Sequence, residues 1–294
     1  MTDTFRSGFI ALIGRPNAGK SSLLNAILDQ KIAIVADRQQ TTRNKILGIK
    51  TFDQSQMIFV DTPGIHSPRH ALGVSMVRTA EEAMQDIDVV AFVTDASKPD
   101  EDLAIMALFR RLKTPVLFVL NKADLRSPSE ISDIIRAYGD LFPFSSFLAL
   151  SALKEKGIGF LLEKITGLLS EGPKYYDDDT VTDQYERFMA AEILREKVIK
   201  NTSEEVPHAV AVEIREWKEK KKGLVSISAV IYVERDGQKA ILIGKKGDML
   251  KTIGSQARRD IEKLISARVF LELWVKVKKG WRDDKKMLQT LGYR

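Results

Sequence analysis

The sequence predicts an α/β domain with a mostly parallel sheet and one antiparallel edge strand, followed by a smaller α+β domain. Three observations carry this reading. Short apolar runs alternate with helix-period segments over residues 1–172. A glycine-rich octet, Gly14–Ser21, sits where the first apolar run meets the first helix-period segment. Beyond Glu171–Asp183, which holds Gly, Pro and an acidic run without periodicity, the order changes to helix, two alternating strands, two helices and a strand. The expected domains are therefore 1–172 and 184–294, with a linker at 173–183.

Each element follows from its own residues. Phe9–Ile13, Met57–Val60, Val89–Thr94, Val116–Leu120 and Phe147–Leu150 are short apolar runs of the kind buried on both faces of a parallel sheet. Gly19–Leu28, Val74–Ile87, Asp102–Leu112, Ser129–Leu141 and Gly159–Leu169 carry apolar residues at helical spacing. Ile46–Thr51 meets Met57–Val60 across the polar stretch Phe52–Gln56. That gap is too short for a crossover, so the pair is predicted to be an antiparallel hairpin. In the second domain, Gln184–Lys200 reads as an amphipathic helix, and His208–Trp217 and Leu224–Val233 alternate as strands joined by Lys-Lys-Lys-Gly at 220–223. Lys239–Ile243 leads into Gly244–Gly247, helices at Asp248–Ile253 and Ser255–Ser266 flank an expected break at Gly254, and Arg268–Lys276 closes as a strand.

Composition narrows the function classes. Of 294 residues, 44% are hydrophobic and 29% charged, enough apolar residues for two ordinary cores. The absence of cysteine excludes a disulfide framework, a thiolate metal site and a catalytic thiol, and fits a reducing compartment. The first residues, Met-Thr-Asp-Thr-Phe-Arg-Ser-Gly, hold no apolar stretch, and no run approaches the roughly 20 residues that span a bilayer. A cytoplasmic location is expected. Residues 181–294 hold 25 Lys and Arg against 17 Asp and Glu, so the basic excess lies in the C-terminal part. A polyanion partner is expected there, nucleic acid first and an anionic membrane surface second.

The octet Gly14-Arg15-Pro16-Asn17-Ala18-Gly19-Lys20-Ser21 is G-x-x-x-x-G-K-[ST], followed by Ser22. Its glycines let backbone N–H groups close around phosphate oxygens, Lys20 brings charge to the outer phosphates, and the Ser21 hydroxyl suits Mg²⁺. The following helix adds its positive end. Three further motifs stand at strand C-termini, where such sheets bind ligands. Asp61-Thr62-Pro63-Gly64 offers a carboxylate for the Mg²⁺ shell and a Gly64 N–H for the γ-phosphate. In Asn121-Lys122-Ala123-Asp124, the aspartate can accept from guanine N1–H and the 2-amino group, a donor pair that adenine lacks. Ser151-Ala152-Leu153 can turn a backbone N–H to guanine O6.

With these four motifs in this order, the first domain resembles the translation-factor-like P-loop GTPases. The resemblance implies a switch at Asp29–Asn44 with a Mg²⁺-ligating threonine, Thr41 or Thr42, the latter favoured. The implied catalytic set is Lys20, Thr42 and Gly64, and the implied metal set Ser21, Thr42 and Asp61. Ile65 stands where Ras-like proteins carry a water-positioning glutamine, so slow intrinsic turnover is expected. In related GTPases with a hydrophobic residue there, an asparagine in the loop, here Asn17, helps to hold K⁺; K⁺ therefore joins GTP/GDP and Mg²⁺ as an implied ligand.

Gly244-Lys245-Lys246-Gly247 between two helices is the Gly-x-x-Gly of a KH domain, whose loop clamps phosphates beside an apolar groove for about four nucleotides. Ile243, Lys251, Arg258 and Arg259 stand beside it, and residues 221–294 hold 18 Lys and Arg against 8 Asp and Glu. Together the two halves resemble one family over essentially the whole chain, the Era family of bacterial ribosome-assembly GTPases. Gly14–Ser21, Gln40–Asn44, Asp61–Ile65, Asn121–Asp124, Gly244–Gly247 and the ending Gly280–Arg282 through Leu291–Tyr293 carry the likeness. The fold it implies is a P-loop GTPase domain followed by a type II KH domain. It also implies a monomer that binds single-stranded RNA near the 3′ end of 16S rRNA, acts on the 30S ribosomal subunit, and associates peripherally with the inner membrane. Two other readings compete. A P-loop kinase has no need of the guanine motif, and a passive RNA-binding module has no need of the full GTPase set.

Overall fold

The alternating apolar runs become a six-stranded sheet with helices between its strands. The computed structural model describes residues 4–36, 38, 41–221 and 223–293; Asp37, Gln39 and Gln40 of the expected switch and Lys222 of the Lys-Lys-Lys-Gly turn lie outside the described residues. In chain order the elements are β1 (Arg6–Ile13), α1 (Lys20–Leu28), β2 (Ile46–Phe52), β3 (Ser55–Asp61), α2 (Ala71–Glu82), β4 (Val89–Thr94), α3 (Leu103–Phe109), β5 (Val116–Leu120), α4 (Pro128–Gly139), β6 (Ser146–Ala149) and α5 (Ile158–Leu168). The strand order is β2-β3-β1-β4-β5-β6. Only β2 runs antiparallel, as the short Phe52–Gln56 connection requires.

β3, β4 and β5 are buried along their whole length, the state that continuous apolar runs favour. Phe92 and Phe118 anchor the core with Phe109, Tyr138 and Phe144, in ring pairs 4.6–6.2 Å apart. Ser127 starts α4 with a reciprocal cap to Glu130, and Pro128 occupies the first turn where its missing N–H costs nothing.

Residues 173–183 lie along this domain as a strap. The fully buried Gln56 accepts from the N–H groups of Tyr175 (2.8 Å) and Tyr176 (3.0 Å) and donates to the Tyr176 carbonyl (2.8 Å). Further along, Ile49 N–H donates to Val181 O at 2.8 Å and the Thr182 hydroxyl to Leu47 O at 2.7 Å.

The rest of the chain forms α6 (Glu186–Asn201), α7 (Val206–Ala209), β7 (Ala211–Lys220), β8 (Leu224–Val233), α8 (Asp236–Ile243), α9 (Asp248–Ile265), β9 (Arg268–Val277) and α10 (Lys285–Thr290). The three-stranded sheet has the order β7-β8-β9, with β8 antiparallel to β7 and parallel to β9. Its core joins α6, α8 and α9 to the sheet through Leu194, Val198, Ile227, Ile231, Leu242 and Ile261.

α9 runs unbroken through Gly254. A Cβ on Gly254 would stand 3.1 Å from Leu273 Cδ1, so the glycine lets the helix approach β9 closely rather than ending it. The first strand of this half also starts later, at Ala211, because Val206–Ala209 forms a helical turn with Pro207 in its first residues.

The chain divides into two compact units. One holds residues up to Ala33, Thr42–Ser67 and Met76–Asp183; the other holds Ile34–Thr41, Pro68–Ser75 and the chain from Gln184 onward. Two short stretches from the first half thus belong with the C-terminal unit. Ala36 packs against its core, and the Ala71 N–H donates to Asp283 Oδ1 at 2.8 Å.

Candidate nucleotide and RNA sites

The phosphate loop follows β1 and ends at the N-terminus of α1, as its residues dictate. Gly19 has φ 91° and Asn17 φ 64°, a left-handed geometry that glycine and asparagine tolerate. A Cβ on Gly14 would stand 2.0 Å from Val93 O, so the loop needs glycine to pass β4. Lys20 is buried, with Nζ donating to Gly14 O (3.0 Å) and Arg15 O (2.9 Å). Burial lowers its pKa to about 8 against the pull of Asp61. Ala18, within the loop, is buried, and Ser22 continues α1.

β3 delivers Asp61 to the same place. Ser21 Oγ donates to Asp61 Oδ2 at 2.6 Å and lies 2.7 Å from Thr42 Oγ1, which is itself 3.5 Å from that carboxylate oxygen. The Thr41 hydroxyl instead donates to Arg38 O at 2.7 Å. Of the two candidate threonines, Thr42 is therefore the one beside Ser21 and Asp61. Asp61 is fully buried, its Oδ1 has no hydrogen-bond partner, and burial pushes its pKa up to about 6. Two hydroxyls and a carboxylate with a spare buried oxygen form a hard-oxygen set that fits Mg²⁺.

The segment after β3 closes on the loop. The Thr62 hydroxyl donates to Leu12 O at 2.8 Å, and the Ile65 N–H donates to Gly14 O at 3.2 Å. A Cβ on Gly64 would stand 2.3 Å from Pro16 N, so only glycine fits between Pro63 and Ile65. The Ile65 side chain packs on the apolar core.

The base-recognition motifs meet around Asn121. Its Nδ2 donates to Ala18 O (2.9 Å), and its Oδ1 accepts from Lys122 N–H (2.8 Å) and Ala152 N–H (3.0 Å). Asn121 thus ties the phosphate loop to Ser151–Leu153. Ser151 N–H is bonded to Lys156 O at 3.0 Å, and the Leu153 side chain is exposed. Asp124 is exposed. Lys122 Nζ donates to Asn17 O (3.0 Å) and Asp95 (2.6 Å).

The Arg15 side chain turns to Asp102, Glu101 and Asp95, which leaves the loop's phosphate contacts to its backbone. Those three acids lie outside every motif, and the sequence held no signal for them.

In the C-terminal unit, α8 ends at Gly244 with φ 73° and ψ 177°, and a Cβ there would stand 2.7 Å from Met249 Cβ. Lys246 (φ 54°) and Gly247 (φ 84°) are also left-handed, so the loop turns sharply into α9. Lys245 and Lys246 are exposed, and Ile243 packs on the core. A groove of about 420 Å³ runs from Gly247 along α9 to β9, lined by Leu250, Lys251, Gly254, Ser255, Arg258, Leu271 and Leu273. Arg259 is exposed but does not line it. Leu271 and Leu273, absent from the sequence expectation, supply its apolar floor. Their alternation along β9 was the available signal.

A phosphate loop, a hard-oxygen cluster and a guanine motif on one domain, with a Gly-x-x-Gly groove on the next, define P-loop GTPases that carry a KH domain. The chain matches the model of a family described as 50S ribosome-binding GTPase over residues 9–122, and that of the KH domain over 205–282. It is 46% identical to GTPase Era of Ruminiclostridium cellulolyticum, covering 99% of this chain and 98% of that one. It is 48% identical to GTPase Era of Clostridium tetani, covering 99% of each. A crystal structure of Era with MgGDPNP and nucleotides 1506–1542 of 16S ribosomal RNA is 37% identical, with TM-score 0.94 over 98% of this chain and 99% of that one. An Aquifex aeolicus Era variant bound to GDP and aluminium fluoride also has TM-score 0.94, at 36% identity and the same coverage. The chain belongs to the Era family of GTPases.

Proposed function

We propose that the protein is a GTP-hydrolysing switch whose KH domain binds single-stranded RNA near the 3′ end of 16S rRNA, and that it acts in biogenesis of the 30S subunit. The observation that carries the switch is the convergence of the Ser21 and Thr42 hydroxyls on the buried Asp61 carboxylate, whose Oδ1 has no partner. A Mg²⁺ ion held there neutralises phosphate charge. Lys20 gives up two backbone carbonyls to reach the outer phosphates, and the loop amides stabilise charge beside it. Asp124 selects guanine, and the Gly64 N–H meets the γ-phosphate. Water attacks that phosphate in line, unaided by Ile65, so turnover is slow. Asn17 is the residue that would help to hold K⁺.

On the RNA side, Gly244–Gly247 with Lys245 and Lys246 clamps backbone phosphates, and Leu271 and Leu273 floor the groove beside Lys251 and Arg258. Arg259 adds charge outside it. The small subunit is favoured over the large one because relatives aligned along the whole chain are Era proteins, one of them solved on 16S rRNA. The family model that mentions the 50S subunit covers only residues 9–122. The protein acts as a monomer. Association with the inner membrane is peripheral and electrostatic in this proposal, since no helix among the described residues is long and apolar enough to cross a membrane.

The test is hydrolysis of GTP and of ATP, with and without a single-stranded oligonucleotide of the 16S rRNA 3′ end. GTP preference is expected, and its absence overturns the switch. Lys245→Asp with Lys246→Asp is expected to weaken RNA binding by at least about tenfold. Unchanged binding overturns the clamp.

A further inference from the structure

Asp102 lies at the head of α3, outside every recognised motif, yet it is fully buried and accepts three hydrogen bonds. The donors are Arg15 Nε at 2.9 Å, the Thr94 hydroxyl at 2.6 Å and the Tyr138 hydroxyl at 2.6 Å. Thr94 ends β4, Tyr138 belongs to α4, and Arg15 is the second residue of the phosphate loop. A buried carboxylate is tolerated only when its oxygens are so matched. Arg15 gains two further acids, with Nη1 2.5 Å from Glu101 and Nη2 3.7 Å from Asp95.

The brace matters because of what else holds the loop. Its amides must stay open for phosphate, so few contacts fix it from inside: Ala18 N–H reaches Arg15 O at a long 3.4 Å, and Lys20 holds the Gly14 and Arg15 carbonyls. A Lys20 that turns to phosphate releases both carbonyls. The guanidinium of Arg15 then holds this end of the loop together with the Ile65 N–H, which donates to Gly14 O at 3.2 Å. A second tie runs in parallel, since Asp95 holds Lys122, whose Nζ also holds Asn17 O at 3.0 Å. With three acids around it, Arg15 has no charge to spare for the γ-phosphate.

We infer that Asp102 is a positioning residue for the phosphate loop, acting through Arg15 to hold the loop open for the nucleotide's phosphates. Pre-organisation of this kind lowers the cost of binding and is felt equally by di- and triphosphate. It therefore appears in affinity rather than in the rate of the saturated enzyme. The inference rests on the nucleotide reading above, and wild-type protein in the same titrations separates the two: if it binds no GDP, that reading fails.

The experiment measures GDP and GTP binding by calorimetry, and single-turnover hydrolysis at saturating GTP, on the full chain. Asp102→Asn and Arg15→Gln are each expected to weaken both nucleotides by a similar factor, about 10- to 100-fold, the usual scale for a lost charged hydrogen bond. Saturated turnover of Asp102→Asn is expected to stay within about threefold. The double variant is expected to bind no worse than the weaker single variant, because both act through one tie. Tyr138→Phe, which removes another donor from the same carboxylate, is expected to lower the melting temperature with little change in affinity. Additive losses in the double variant overturn the inference, as does Asp102→Asn with wild-type affinity. If Asp102→Asn fails to fold, Arg15→Gln alone decides, and wild-type affinity in that variant overturns it.

Discussion

Asn121 makes three hydrogen bonds, and none needs a ligand. The sequence reading gives the guanine contact of this motif to Asp124; Asn121 itself ties the phosphate loop to the Ser151–Leu153 loop. Arg15 belongs to the phosphate loop by its backbone, and its side chain turns to three acids. Motifs identify which residues gather at a site because the backbone geometry of a phosphate loop leaves few alternatives. They do not reveal the side-chain partner of each, since Asp95, Glu101 and Asp102 carry no pattern. Asp61 shows what such placement costs. Its carboxyl is held at about 6 instead of 3.8, chiefly by burial, so the folded nucleotide-free protein binds this proton more tightly than the unfolded chain does. The ionised form therefore costs stability, fully above about pH 6 and not at all below pH 3.8. The stability gap between nucleotide- and metal-free Asp61→Asn and wild type is expected to shift in the variant's favour from about pH 4 to about pH 7.5. Urea unfolding at the two pH values measures it, and a shift in the variant's favour on acidification would sink the idea.

At the scale of elements, the alternating pattern located all six strands of the first sheet, and the short connection between β2 and β3 gave its one antiparallel pair. Boundaries shifted where tertiary contacts extend an element. β1 begins at Arg6 rather than Phe9, because pairing to β3 continues from Arg6 and Ser7 to Ser55 and Gln56. Gly254 was misread for a physical reason: a helix-interior glycine signals either a break or a close approach, and only Leu273 decides which. The stretch at 173–183 looked featureless because its order comes from outside it. Gln56 supplies that order, satisfying three backbone groups of Tyr175 and Tyr176. Gln56→Leu leaves these groups without partners at a cost of about 2–3 kcal/mol. Limited proteolysis is expected to cut within 173–183 several times faster in this variant. Equal cleavage rates would show that the strap is held by other contacts.

For the whole molecule, the informative fact is how the chain divides. Thr41 belongs with the C-terminal unit, and Thr42, its neighbour across one peptide bond, belongs with the first. Within the C-terminal unit, the buried Arg195 of α6 pairs with Glu192 and donates to the Thr41 carbonyl, and Glu196 accepts from the Val35 N–H at 3.3 Å. The residue just before the candidate Mg²⁺ threonine is thus fixed by the RNA-binding half. Arg195→Met leaves Glu192 buried without its cation, and about 3 kcal/mol of stability is expected to be lost. If GTP and GDP set different RNA affinities, as the proposed switch requires, the ratio of RNA affinities with a GTP analogue and with GDP is expected to fall toward one in this variant, as read by fluorescence anisotropy. A wild-type ratio in a folded variant would show that this contact transmits nothing.

The strap also has a bearing on solubility. β2 is the outermost strand of the large sheet and would otherwise present unpaired backbone groups to any passing chain. Val181 and Thr182 occupy the backbone groups of Ile49 and Leu47 on that border. The far border is a strand of only four residues, β6. The chain thereby carries its own guard against strand-to-strand aggregation, made from the same eleven or so residues that join its two halves.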